Sequence, residues 1–172
     1  MRKAKSQDPI ARLCDRAVKL GAVEAKPILP ETVVTAMWVR LKCQYGCGGY
    51  GGRLTCPPYS PTPAQTRELL DGYQRAILVR GSNRTDIHEV VADLEREAFL
   101  AGFYKAFGLG SGPCRICDEC DLESCAHPHR ARPSMEACGI DVYATAHGNG
   151  YPIEVLTKRG CEGNYYGLLL VE

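Results

Sequence analysis

Cys114-Arg-Ile-Cys117-Asp-Glu-Cys120-Asp-Leu-Glu-Ser-Cys125 is the sharpest chemical signal in the chain. Cysteines separated by two residues let a compact loop wrap three thiolates around one inorganic cube, and a fourth thiolate follows. The spacing points to a 4Fe–4S cluster on Cys114, Cys117, Cys120 and Cys125. The bacterial pattern C-x2-C-x2-C-x3-C-P has a three-residue last gap followed directly by proline. Here the last gap is four residues, and Ala126 and His127 intervene before Pro128. That departure bears on Cys125 as fourth ligand more than on the cluster itself. Zinc is the alternative, although zinc ribbons use two separated pairs and a tight triple suits one tetrahedral ion less well. His127 could ligate, but a capping or surface histidine before proline is the plainer reading.

Cys43, Cys47 and Cys56 form a second, less specific triple, with Cys56 followed by Pro57-Pro58. Its last gap is too long for the C-x3-C-x2-C arrangement of radical S-adenosylmethionine enzymes. The glycines between, Gly46, Gly48, Gly49, Gly51 and Gly52, let backbone approach a bulky group closely and let N–H groups face anionic sulfur. A phosphate loop is the rival, but neither G-x4-G-K-[ST] nor the strand–helix context of G-x-G-x-x-G is present. Three cysteines need a fourth partner or leave a position open. Cys138 is the spare. Counted with it, the two groups reach eight cysteines, enough for two four-cysteine sites. Cys125 and Cys138 could be exchanged between them, as fourth cysteines are in two-cluster ferredoxins. Cys14 falls on the apolar face of a helix and reads as a buried structural thiol. Cys161 sits in a turn without a cysteine neighbour and reads as a non-ligand.

These loops need a frame. At 172 residues with 45% apolar and 24% charged residues, the chain reads as one globular domain over 1–172 with a core of its own. A net charge of +1 gives no one-signed field for nucleic acid or an anionic membrane. No stretch approaches the ~20 apolar residues of a membrane span. The charged start Met1–Pro9 carries no signal-like apolar run, so the expected location is cytoplasmic, where 10 cysteines argue for metal rather than disulfides.

Asp8-Pro9 opens a helix whose Ile10, Leu13, Cys14, Ala17 and Leu20 share one face. Val33, Thr35, Met37, Val39 and Leu41 alternate and predict a strand leading to Cys43. Thr62 to Gln65 reads as a capping box and Ala76–Arg80 as a buried strand. Asp86 caps a helix running toward Phe107. Short helices are expected from Pro133 and from Asp141, and strands at Ile153–Leu156 and Gly167–Val171. The fold class is therefore α/β (mixed α+β), a layered domain with a small central sheet, flanking helices and two cysteine-rich loops.

Three stretches carry a family resemblance. They are Cys43 to Pro61, Gly112-Pro-Cys114-Arg-Ile-Cys117-Asp-Glu-Cys120, and the run from His127-Pro128 through Ala131-Arg-Pro-Ser-Met-Glu-Ala-Cys138-Gly-Ile-Asp-Val142. The chain resembles an uncharacterised prokaryotic family of predicted metal-binding proteins, prominent in anaerobes, from about Val33 to its end. The resemblance implies metal binding through the eight cysteines named above and no settled activity or substrate.

Three functions from different classes remain open. One is an electron carrier or redox accessory protein with one or two 4Fe–4S clusters and a redox partner protein. The acidic Asp118, Glu119, Asp121 and Glu123 beside the basic run His129–Arg132 would serve as its docking face, or else form a solvated, internally paired surface. The second is an enzyme whose cluster leaves one iron open to a small substrate. The third is a zinc-stabilised interaction module. No Ser/His/Asp set, HExxH helix or carboxylate pair stands out, and His88-Glu89 reads as a solvated helix face.

Overall fold

The computed structural model describes residues 8–172, so the segment Met1–Gln7, read above as lacking a signal, lies outside the described residues. Helix α1 spans Pro9–Lys19, capped by the Asp8 carboxylate, which accepts from the Ile10 N–H at 3.2 Å. Its buried residues are Ile10, Leu13, Cys14 and Ala17, the face expected from the spacing. Strand β1 is Glu24–Ile28, α2 Met37–Gly46, α3 Pro63–Asp71, β2 Ala76–Gly81 and α4 Ile87–Leu100. Strand β3 is Phe107–Leu109, α5 Val142–Gly148 and β4 Tyr165–Leu170.

The strands form one antiparallel sheet in the order β1-β2-β4-β3. Both faces are covered, so the central strands are apolar throughout rather than alternating. Ile77, Val79, Leu169 and Val171 face α1 and α4. Ala76, Leu78, Leu168 and Leu170 face the opposite cluster, which includes Leu70, Met135, Cys138, Ile140 and Ala146. Helix α4 lies close against β4, where a Cβ on Gly167 would stand 2.6 Å from Ile87 Cγ2. The mixed α/β class expected from the sequence holds.

Several elements differ from expectation. The alternation from Val33 to Leu41 does not make a strand. Residues 33–35 are extended, with Thr35 bridging Ile140, but helix α2 takes over at Met37. Met37 is 62% and Leu41 48% exposed, so the alternating residues share no buried face. Most residues after Thr35 are unbranched at Cβ and favour helix. Strand β1 was hidden by Pro27, which a sheet tolerates because β1 is an edge strand. Ile153–Leu156 forms no strand. Ile153 is buried, but Val155 is 72% exposed. Helix α4 stops at Leu100, and Phe107 opens β3 instead. The capping box at α3 is present, with the Gln65 N–H donating to Thr62 Oγ1 at 3.3 Å. No described helix is long and apolar enough to cross a membrane.

Candidate metal centres

The second cysteine loop is closed at its base. Past β3, the Gly110 N–H donates to the Pro133 carbonyl at 2.9 Å, and the Met135 N–H donates to the Gly110 carbonyl at 3.0 Å. The loop is also pinned to α4. Arg132 meets Glu95 through Nη2–Oε1 at 2.5 Å and Nε–Oε2 at 2.6 Å, with the two side chains 13% and 16% exposed. Arg130 pairs with Asp93 at 2.7 Å and with Glu89. His88 is not merely part of a solvated face, because its Nε2 lies 3.1 Å from the Gly112 carbonyl oxygen, just before Cys114.

Held this way, Cys114, Cys117, Cys120 and Cys125 line one cavity of about 90 Å³, together with Arg53 and His127. All four are half-buried and none is in a disulfide. Around them Asp118, Glu119, Asp121 and Glu123 are exposed. The basic residues that follow are tied to α4 rather than to these acids.

The first cysteine loop starts on α2. Cys43 lies in its last turn, and the Cys47 N–H caps it by donating to the Cys43 carbonyl at 3.3 Å. Cys56 is 5% exposed. A Cβ on Gly49 would stand 3.2 Å from Cys56 Sγ, a tight contact, and 3.6 Å from Cys47 Sγ, so glycine keeps the space beside Cys56 clear. The Gly49 N–H donates to Cys47 Sγ at 3.4 Å. Burial pushes the Cys43 thiol up, and the charges of Cys47, Glu136 and Cys56 push it further, while Arg40 pulls it back. Burial likewise pushes up Cys56, with the Thr55 hydroxyl and Arg53 opposing and Cys47 and Cys114 adding to it. Cys43 and Cys56 are each opposed by neighbouring thiols, a repulsion that a bound cation would relieve.

Cys138 is placed elsewhere. It is 1% exposed in the core among Met135, Ile140 and Leu70, and burial pushes its thiol up to about 12. It does not line the cavity that Cys43, Cys47 and Cys56 share; its neighbours Glu136 and Ala137 do. The thiol from the other loop whose charge reaches Cys56 is Cys114. The loops are joined by Arg53, whose Nη1 donates to the Cys117 carbonyl at 3.0 Å. Cys14 is buried in α1, with its thiol pushed up to about 11 by burial and by Asp15 and Asp8. The Cys161 carbonyl accepts from Asn83 Nδ2 at 3.0 Å.

The cysteines that the two loops carry and the frame that holds them span a region matched by one family model, over residues 26–171. The chain belongs to the family described as "Predicted metal-binding protein (DUF2284)". No curated protein and no solved structure matches it.

For a metal-binding family member, the donor set fits. Four thiols line one cavity and three more line a second. As placed, no three Cys, His, Asp or Glu side chains among the described residues converge on a single ion position. Two residues around the sites were not singled out in the sequence. Arg40, 9% exposed, donates to the carbonyls of Pro61 at 2.8 Å, Ser60 at 3.3 Å and Ala137 at 3.4 Å, joining α2 to the segments after Cys56 and before Cys138. Glu136 has Oε2 buried without a hydrogen-bond partner, and burial pushes its carboxyl above the usual range. A sequence signal existed only for Arg40, a cation one turn before Cys43. Glu136 reads as an ordinary helix-start acid.

Proposed function

We propose that the protein is an iron–sulfur protein that acts in electron transfer or as a redox accessory, with a 4Fe–4S cluster on Cys114, Cys117, Cys120 and Cys125. The observation that carries this reading is that all four thiols of the tight motif line one cavity in a loop at the surface. When bound, such a cluster supplies one-electron transfer, and ligation by thiolates alone favours an outer-sphere route. The chain's own residues set access. Arg53 and the Arg132–Glu95 pair fix the loop, and the exposed acids around it favour a redox partner with a basic docking face, steered mainly in its encounter rate. Protein prepared without oxygen should be brown, with iron and acid-labile sulfide in equal amounts. A colourless protein with stoichiometric zinc would instead support the interaction module.

A second reading is favoured by one observation of its own. Cys43, Cys47 and Cys56 lack a fourth cysteine at their cavity, because Cys138 lies in the core. A metal group held by these three keeps a position open for a small molecule, which is the arrangement of an enzyme. Replacing each of the three by serine and reading the spectrum of the reduced protein, with and without added small ligands, tests this.

A further inference from the structure

A mainly apolar hollow beside the first cysteine loop has a volume of about 410 Å³. That is within the size range of small-molecule sites, roughly 300–1,000 Å³. Its lining includes Cys43, Cys47 and Cys56 and the aromatic Trp38, Tyr143 and Tyr165. These three aromatic side chains are 48%, 39% and 36% exposed, so each leaves part of its ring open to a ligand. The ionisable side chains lining the hollow are Glu136, Glu154 and Lys42, two carboxyl groups and one amine. Glu154 and Lys42 are exposed, so water satisfies them. Glu136 is different, because its Oε2 is buried and has no partner. A buried polar atom without a partner is costly, and a ligand that supplies one gains what the free protein lacks. Aromatic faces and anionic oxygens together recognise a cation attached to an apolar body.

We propose that this hollow binds a small organic amine in its ammonium form, the nitrogen against Glu136 and the apolar body against Trp38, Tyr143 and Tyr165. The inference deepens the second reading, on which it rests for what the bound molecule meets beside it, namely the group held by Cys43, Cys47 and Cys56. An anion is disfavoured because it offers the buried Oε2 no hydrogen-bond donor. A wholly apolar molecule leaves Oε2 as it is.

Phenethylamine is the probe, titrated into the full-length protein purified without oxygen with its metal. Calorimetry reads the affinity. Trp38, the only tryptophan in the chain, reports occupancy by its emission. Phenethyl alcohol and phenylacetate have similar bodies with neutral and negative heads. The amine should bind and change the Trp38 emission, the alcohol should bind at least about tenfold more weakly, and phenylacetate should not bind. Glu136→Gln should weaken the amine about ten- to hundredfold, while Glu154→Gln at the solvent-exposed rim should change it less than about threefold. If Glu136→Gln does not fold, Tyr143→Leu carries the test and should weaken amine and alcohol alike. No binding of phenethylamine at millimolar concentration overturns the proposal. So does phenylacetate binding as well as the amine, or unchanged affinity in either folded variant. Iron and sulfide measured on the same samples keep the two ideas apart. Amine binding to protein with no iron at the Cys43 site supports the pocket and refutes the metal group there. Iron-loaded protein without amine binding refutes the pocket alone.

Discussion

The Arg53 guanidinium, from the first cysteine loop, donates to the Cys117 carbonyl in the second at 3.0 Å and to the Asp118 carbonyl at 3.5 Å. It also opposes the rise of the Cys56 thiol. One side chain therefore ties the two cysteine loops together and places positive charge between them. Arg53→Met should cost about 1–2 kcal/mol in stability from the lost hydrogen bonds. It should also speed iron release to a chelator from protein loaded without oxygen. Unchanged release would mean the loops hold their metals independently.

Cysteine replacements should sort into two groups. Serine at Cys43, Cys47 or Cys56 should lower bound iron by about half, because the 114–125 loop can still hold its own cluster. Cys138→Ala should leave iron unchanged and cost about 1 kcal/mol, since its thiol lies in the apolar core. Iron and sulfide assays on folded protein decide this. Loss of iron in Cys138→Ala would show Cys138 to be a ligand.

Cys14 gives a pH signature. Its folded thiol is raised from 9.0 to about 11. Below the unfolded value both states hold the proton, so the stabilisation is fully present. As pH rises from about 9 to 11 only the unfolded state releases it, and stability falls by on the order of 2–3 kcal/mol. Urea unfolding at pH 8 and pH 10.5 should show a smaller loss in Cys14→Ala than in the parent. Cys14→Ser, which buries a hydroxyl, should cost about 1–3 kcal/mol without changing metal content. Equal pH losses in parent and Cys14→Ala would remove Cys14 from the account.

The acids around the four-thiol loop should govern encounter with redox partners. Oxidation of the reduced protein by hexaammineruthenium, a cation, should slow as salt rises. Replacing Asp118 and Asp121 by Asn, with Glu119 and Glu123 by Gln, should abolish most of that salt dependence. Stopped-flow bleaching of the cluster reads it. A variant with the parent's salt dependence would show that these acids do not steer the encounter.

The sequence by itself determined whatever depends on neighbours along the chain. The C-x2-C-x2-C spacing, the Asp8 and Asp86 caps, the Thr62–Gln65 capping box and the apolar face of α1 are all local, and each is found where its spacing puts it. Period-two alternation at Val33–Leu41 misled because alternation implies a strand only if a sheet lies beneath one face, and none does. Strand β1 was hidden for the converse reason: Pro27 is tolerated only because tertiary pairing leaves β1 at an edge. The placement of the thiols was likewise set in three dimensions. Spacing alone offered Cys138 to the first triple. The fold instead buries it in the core, because the turn carrying it packs its apolar side on the sheet and presents Glu136 and Ala137 to the cavity. Through-space contacts such as Arg53 with Cys117 and Arg40 with Ala137 join residues 64 and 97 positions apart. No local pattern encodes such pairs, since they exist only once the core has brought the two loops together.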